Sequence, residues 1–267
     1  VKMQAQTPAF YHLSTAEGSS DNNVRVAARH RNGIVWIATS EGLNSFDGNR
    51  INTYDTYKYP LLGSNNIEKI IVDNENKIWL RTNSKYINML DENREMHRFP
   101  VGDTADRISV SALFYSPAKG MFAFKGKQHY LLDKNNPAKF AKINMPFDSL
   151  LTGTVGFTYY TDKDWVIYYR SKKLIVVDYA SNKVLLQLPL RGLSGAHYIN
   201  DDELLAFTSE GNVFYRISIS QQKVVKEYRN IKDQNDQLIS GRLRNMDRID
   251  ENRFVFTSYF SGIYIFD

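Results

Sequence analysis

Asn32-Gly33-Ile34-Val35-Trp36-Ile37-Ala38-Thr39-Ser40-Glu41-Gly42-Leu43-Asn44-Ser45-Phe46-Asp47 decides the fold, because degenerate copies of this stretch recur along the chain. An apolar run ending in Trp-Ile-Ala-Thr, a polar turn carrying Gly42 and a second run closed by Asp47 read as one β-hairpin. Anchored on Trp36, the pattern returns at Trp79, Phe122 and Trp165, each 43 residues after the last, and more loosely at Leu205 and Phe254. The hairpin closes at Asp47, Asp91, Asp133, Asp178 and Asp267, while the fifth copy has Ser218 to Gln222 there instead. Asp suits such a place because its carboxylate bonds backbone amides two residues on and nucleates the turn.

Outward from the hairpin, each copy reads as four strands. In the first these are Val24 to Ala28 (A), Ile34 to Thr39 (B), Leu43 to Phe46 (C) and Ile51 to Tyr54 (D). In the second they are Ile67 to Val72, Ile78 to Arg81, Tyr86 to Leu90 and Met96 to Phe99. No window keeps apolar residues at helical spacing for three turns between capping signals. Four short strands in each of six repeats predict an all-β chain, a β-propeller of four-stranded antiparallel blades.

The sixth copy ends at its C strand, Gly262 to Asp267, and a spare strand, Phe10-Tyr11-His12-Leu13, precedes the first A strand. Two architectures fit: a six-bladed ring closed by that N-terminal strand, or a seven-bladed propeller lacking its last repeat. Residues 10–267 are expected to form one propeller domain after a flexible 1–9. Val1 to Gln6 reads either as the end of a removed secretion signal, with Ala5 before the cut, or as an ordinary terminus.

Composition narrows the functional classes. The formal charge of +5 is mild and its cations are interspersed with acids, so no nucleic-acid partner is expected. With no cysteine there is no disulfide, thiol nucleophile or cysteine-based zinc site. No apolar run reaches the roughly 20 residues of a membrane-spanning helix. The histidines, at 12, 30, 97, 129 and 197, are scattered, and no P-loop, dinucleotide or G-x-S-x-G motif occurs. No cofactor or metal is expected. Asp233-Gln234-Asn235-Asp236 lacks the turn Gly and distal Glu of a calcium loop.

The first copy, with Asn22-Asn23-Val24, His30 to Thr39 and Glu41 to Gly48, resembles the two-component-regulator propeller repeat, roughly N-x-V, D-x-x-G-x-I-W-[IL]-[GA]-T and G-L-x-x-[FY]-D-G. His30 stands where that repeat has Asp; the second copy keeps Asp73 and Ile78-Trp79-Leu80 but has Asn76 for the Gly and Arg81 for the small residue. The resemblance implies a periplasmic sensor region of a Bacteroidetes hybrid two-component system. Such a region usually holds two seven-bladed propellers and an immunoglobulin-like domain, ahead of a membrane helix and a cytoplasmic histidine kinase. It further implies recognition of oligosaccharides and control of glycan-utilisation genes. The partners it implies are an oligosaccharide, further domains of the same sensor chain and a second copy, with the membrane reached only through other parts. The repeat motif builds blades and names no ligand residue.

Trp36, Trp79 and Trp165 read as residues packing adjacent blades, with sugar stacking as the rival. The recurring Asp residues read as turn formers, since a glycosidase pair needs two carboxylates within about 5–10 Å of each other. What survives is a rim of B–C turns: Arg81 and Lys85, Lys125 and Lys127, Tyr169, Arg170 and Lys172, and Tyr259 and Phe260, interrupted by Glu41 and Glu210. Loops carried on a rigid scaffold are where binding residues concentrate. Arg81, Lys85, Lys125, Tyr169, Arg170 and Tyr259 are therefore the candidate ligand residues, suited to an acidic oligosaccharide by charged hydrogen bonds and ring stacking. The alternative is a solvated or domain-docking surface that touches no sugar.

Overall fold

A computed structural model describes residues 13–103, 105–151, 156–160, 162–169, 172–208, 213–232, 236, 238, 243–248, 253–258 and 263–266. These fall into two compact units, Val1–Tyr115 with Met121–Ile143, and Ser116–Gly120 with Asn144–Asp267. The closing strand expected at Phe10 to Leu13 lies, but for Leu13, outside the described residues.

The first unit carries three sheets, each a four-stranded meander in chain order. They are β1 (Val24–Arg29), β2 (Val35–Thr39), β3 (Leu43–Phe46) and β4 (Ile51–Tyr54); β5 (Ile67–Val72), β6 (Ile78–Thr82), β7 (Tyr86–Leu90) and β8 (Met96–Pro100); and β9 (Val110–Ser116), β10 (Gly120–Lys125), β11 (Gln128–Leu132) and β12 (Phe140–Ile143). The second unit repeats the plan with β13 (Gly156–Tyr160), β14 (Trp165–Tyr169), β15 (Leu174–Asp178) and β16 (Lys183–Leu188), then β17 (Leu193–Tyr198), β18 (Glu203–Thr208), β19 (Val213–Ser218) and β20 (Lys223–Arg229). Its last sheet holds β21 (Leu243–Arg248), β22 (Phe254–Ser258) and β23 (Ile263–Phe266). Among the described residues helical structure is confined to 3-10 turns at Thr15–Glu17 and Asp148–Leu150. Among the described residues no helix is long and apolar enough to cross a membrane.

The second sheet buries both faces, which is why its second strand opens on a continuous apolar run, Ile78-Trp79-Leu80, and does not alternate. Ile78 and Leu80 of β6 pack with Trp36, Ala38 and Tyr54 of the first sheet. Trp79, between them, points the other way and packs with Val110, Met121 and Ala123 of the third. Both Trp36 and Trp79 are 3% exposed, so they are packing residues and not sugar platforms. Burying each such side chain is worth on the order of 1.5–3 kcal/mol. In the second unit Ile167, Val176 and Leu186 pack with Ala196, Leu204 and Ala206, and Phe207 and Phe214 with Phe256.

The strand registers refine the repeat. Trp36, Trp79 and Phe122 pair with Ser45, Met89 and Leu131, each two residues before its turn Asp. Trp165 pairs with Asp178 itself, so the position equivalent to Trp36 in the fourth blade is Ile167, opposite Val176. The equal spacing to Trp165 therefore overstates the equivalence. A better marker is a bulge at the start of the first strand, present in four sheets opposite Thr39, Thr82, Thr208 and Ser258. The threonine holds the following reversal: Thr39 Oγ1 donates to the carbonyl of Gly42 at 2.9 Å and accepts from the amide of Glu41 at 3.1 Å.

The described turn Asp residues act as expected, and Asp267 lies outside the described residues. Asp47 Oδ1 accepts from the amides of Asn49 and Arg50, each at 2.8 Å, Asp91 Oδ1 from Glu95 at 2.8 Å and Asp133 Oδ1 from Asn135 at 2.9 Å. In the fifth blade, which lacks this Asp, Asp202 from the neighbouring reversal accepts from Ser218 Oγ at 2.8 Å and the Ser220 amide at 2.6 Å.

Candidate functional site

The described rim residues sit where the second strands of their blades turn into the third. In the second blade that reversal is built on Ser84, whose Oγ accepts from Thr82 Oγ1 at 2.9 Å and donates to the carbonyl of Tyr86 at 3.1 Å. Its carbonyl accepts from the amide of Val110 at 2.9 Å, which ties the reversal to the head of β9.

Arg81 lies two residues after Trp79 and shares its face. Its guanidinium binds the Glu68 carboxylate and also donates from Nη1 to the carbonyl of Val110 at 3.4 Å. In a regular strand Glu68 and Lys69 would point to opposite faces. The bulge between Ile67 and Lys69 re-aims Glu68, so that both residues serve the same side. Lys85 is half-buried, with its ammonium 5.8 Å from the centre of the Tyr86 ring, which Arg98 also covers at 5.1 Å.

Lys125 requires a correction. The two-residue reversal at Gly126 and Lys127 keeps it inside β10, paired with Gln128. Its side chain is 2% exposed and forms an ion pair with Asp106 at 2.8 Å. The ammonium also donates to the carbonyls of Val101 at 3.0 Å and Asp103 at 2.5 Å. Lys125 is thus a clasp on the loop before β9 and not an open rim cation; its hydrogen bond holds the Asp106 carboxyl below the usual range. Lys127, at the tip of the same reversal, is the exposed one.

Tyr169 belongs to the second unit, half-buried, with its hydroxyl 3.3 Å from Thr158 Oγ1. Lys172 and Glu41 are exposed. Arg170, Tyr259, Phe260 and Glu210 lie outside the described residues. Within the first unit the structure therefore brings Arg81, Lys85 and Lys125 to the same stretch of chain, the 101–110 loop, through Val110 and Asp106.

Lys69 was missed by the sequence reading. It stands directly opposite Arg81 in the β5–β6 ladder, on the same face. The residue is exposed, and desolvation among the packed strands, then the charge of Arg81, set its ammonium below the usual lysine range. Two signals pointed to it: a charged pair, Glu68-Lys69, inside an otherwise apolar strand, and Arg81 at a place the repeat reserves for a small residue.

Two other features of the first unit were weighed. Asp91, Glu95 and His97 bring one ligand-capable atom each within 4.8 Å of the others. Their spacing is already explained by the turn, where Asp91 bonds the Glu95 amide and His97 Nε2 at 2.9 Å. A cleft of about 360 Å³ between the first two sheets is lined by His30, Trp36, Asn76, Asp91, Glu92 and Arg94. The buried Trp36 Nε1 and Asn76 Oδ1 have no partner there, and both atoms are sealed by neighbouring atoms.

No family model matches the sequence, and no curated protein does either. Solved structures do. One is the extracellular domain assigned to a hybrid two-component system of B. thetaiotaomicron, at 18% identity and a TM-score of 0.70 over 96% of this chain. Another is the extracellular domain assigned to a one-component system of the same organism, at 15% and 0.69, again over 96%. Virginiamycin B lyase from Staphylococcus aureus follows at 13% and 0.62, covering 91% of this chain and 84% of its own. The chain spans 35% and 37% of the two sensor-system structures. At these identities the likeness establishes the fold: the chain is an all-β propeller protein built of four-stranded antiparallel blades.

Proposed function

We propose that this chain is a non-enzymatic, extracytoplasmic sensing propeller, part of a periplasmic sensor region that recognises an oligosaccharide and controls a hybrid two-component kinase. The observation that carries the reading is the first repeat, which resembles the blade motif of two-component-regulator propellers, in a chain whose fold is similar to extracellular domains assigned to a hybrid two-component and a one-component system. A ligand can signal here only by binding one arrangement of the sensor better than another. Arg81 and Lys85 in the first unit and, separately, Tyr169 in the second are the described residues proposed to meet it; Arg170 and Tyr259, proposed with them from their place in the chain, lie outside the described residues.

A scaffold reading has its own support: Arg81 and Lys125 are engaged in holding the 101–110 loop, as residues of a docking surface would be. Thermal shift against acidic and neutral oligosaccharides separates the two. A ligand at 100 times its dissociation constant adds about 2.7 kcal/mol. A class-selective rise in melting temperature supports the sensing reading; no rise with any oligosaccharide favours the scaffold. Release of sugar products by the purified chain would overturn both in favour of an enzyme, the class to which the lyase neighbour belongs.

A further inference from the structure

We infer that Lys69 and Arg81 together form a receptor for one anionic group, a carboxylate or a sulfate, on the face that the second sheet turns toward the third. This deepens the sensing reading by naming the charge of its ligand, and rests on that reading only for the sugar that would carry the charge.

The geometry sets up an imbalance. Lys69 and Arg81 are directly opposed cross-strand partners, an arrangement in which like charges repel. One carboxylate, Glu68, is present, and Arg81 takes it. Lys69 makes no hydrogen bond or ion pair among the described residues. Three charged groups, two positive and one negative, thus leave one cation uncompensated beside a guanidinium that is only 19% exposed.

That surplus sits in a fixed frame. Arg81 is held by Glu68 and by the Val110 carbonyl. The Val110 amide is fastened to Ser84, and Lys125 clasps the loop leading to it. An anion arriving beside Lys69 therefore finds a positioned guanidinium next to an exposed ammonium, and hydrogen bonds between charged groups are stronger than neutral ones. A neutral sugar gains none of this. Removing the ammonium while keeping its stem, as in Lys69→Met, should remove the repulsion and the site together.

The test uses the whole chain, with sodium sulfate and sodium glucuronate as probes and sodium chloride at matched ionic strength as reference. Sulfate stabilises most proteins by exclusion from their surface, so the readout is the difference between the wild type and Lys69→Met. In chloride, Lys69→Met is expected to melt at or above the wild type. The probe that matches the site is expected to raise the wild-type melting temperature beyond this common effect, and to bind Lys69→Met about tenfold more weakly or worse. Lys69→Arg is expected to keep the response. A response to sulfate alone or to glucuronate alone identifies the group.

Equal responses of wild type and Lys69→Met to both anions would overturn the proposal. Should the variant fail to fold, the Lys69 ε-carbon resonance in the wild type decides the matter. Its titration moves to higher pH as the anion is added if the site exists, and stays in place if it does not. Anion binding without a response to any oligosaccharide would sink the sugar-sensing reading while leaving this site standing.

Discussion

Trp79 Nε1 donates a 2.7 Å hydrogen bond to Asp73 Oδ2, six residues before it, whereas Trp36, its counterpart one blade earlier, has His30 at that distance and no acceptor for its indole among the described residues. His30 turns its ring to the neighbouring reversal, with Nε2 3.0 Å from the carbonyl of Asn76. The Asp of the repeat motif is thus an indole acceptor, and its Oδ1 also takes the amides of Glu75 at 2.9 Å and Lys77 at 3.0 Å. Asp73→Ala strands a buried donor and frees the turn, so a loss of about 2–3 kcal/mol is expected in urea unfolding. His30→Asp supplies the missing acceptor and should raise stability by up to about 1 kcal/mol; a loss would mean that the tie to Asn76 outweighs the indole bond.

Tyr168 and Tyr179 are buried with their hydroxyls hydrogen-bonded to each other, and burial pushes both phenols above the usual range. In the unfolded chain both ionise near pH 10. Above that pH the folded state holds protons that the unfolded state has given up, so stability is full below about pH 10 and falls as pH rises. Absorbance titration at 295 nm should show 15 of the 17 tyrosines as the upper limit of those ionising before alkaline unfolding. Ionisation of all 17 in the folded state would contradict the packing described here.

In the fifth blade, Asp202 takes over the turn that lacks its own Asp, and hydrogen bonds from Ser220 and then Ser218 hold its carboxyl below the usual range. With the folded value depressed, its contribution is present above the ordinary carboxylate range and is lost as pH falls through the depressed value. Asp202→Ala should speed amide exchange at Ser220 without affecting the Asp47 and Asp91 turns. Unchanged exchange at Ser220 would show that the turn holds itself.

Much of this was legible in the sequence. The strands of the first two blades fall within a residue or two of their expected ends, because a two-faced strand leaves an apolar run and an Asx turn leaves an Asp. Register was less legible: Trp165 sits at the expected spacing but opposite Asp178, because spacing counts residues and does not see that the fourth hairpin, of the same length from Ile167 to Val176 as from Trp36 to Ser45, begins two residues later. The site was read by loop position, which finds Arg81. Loop position cannot see that a tight reversal buries Lys125, nor that a bulge sets Glu68 and Lys69 against Arg81. Asp202 shows the same limit, because its role depends on two reversals meeting in space.

Lys125 offers the sharpest separation of a structural from a binding role. Its ammonium is almost wholly buried and serves two carbonyls and one carboxylate, Val101, Asp103 and Asp106. Lys125→Met leaves those acceptors facing an apolar stem, and breaking a buried ion pair costs about 3–5 kcal/mol, less here because Asp106 is 36% exposed and can turn to water. A loss of about 2–3 kcal/mol is expected, together with faster amide exchange across residues 101–110. Since the same loop carries the Val110 carbonyl that steadies Arg81, any weakening of anion binding in Lys125→Met should accompany the loosened loop and disappear when the loop is cross-linked to β10. Weakened binding with an undisturbed loop would instead return Lys125 to the ligand surface where its position in the chain first placed it.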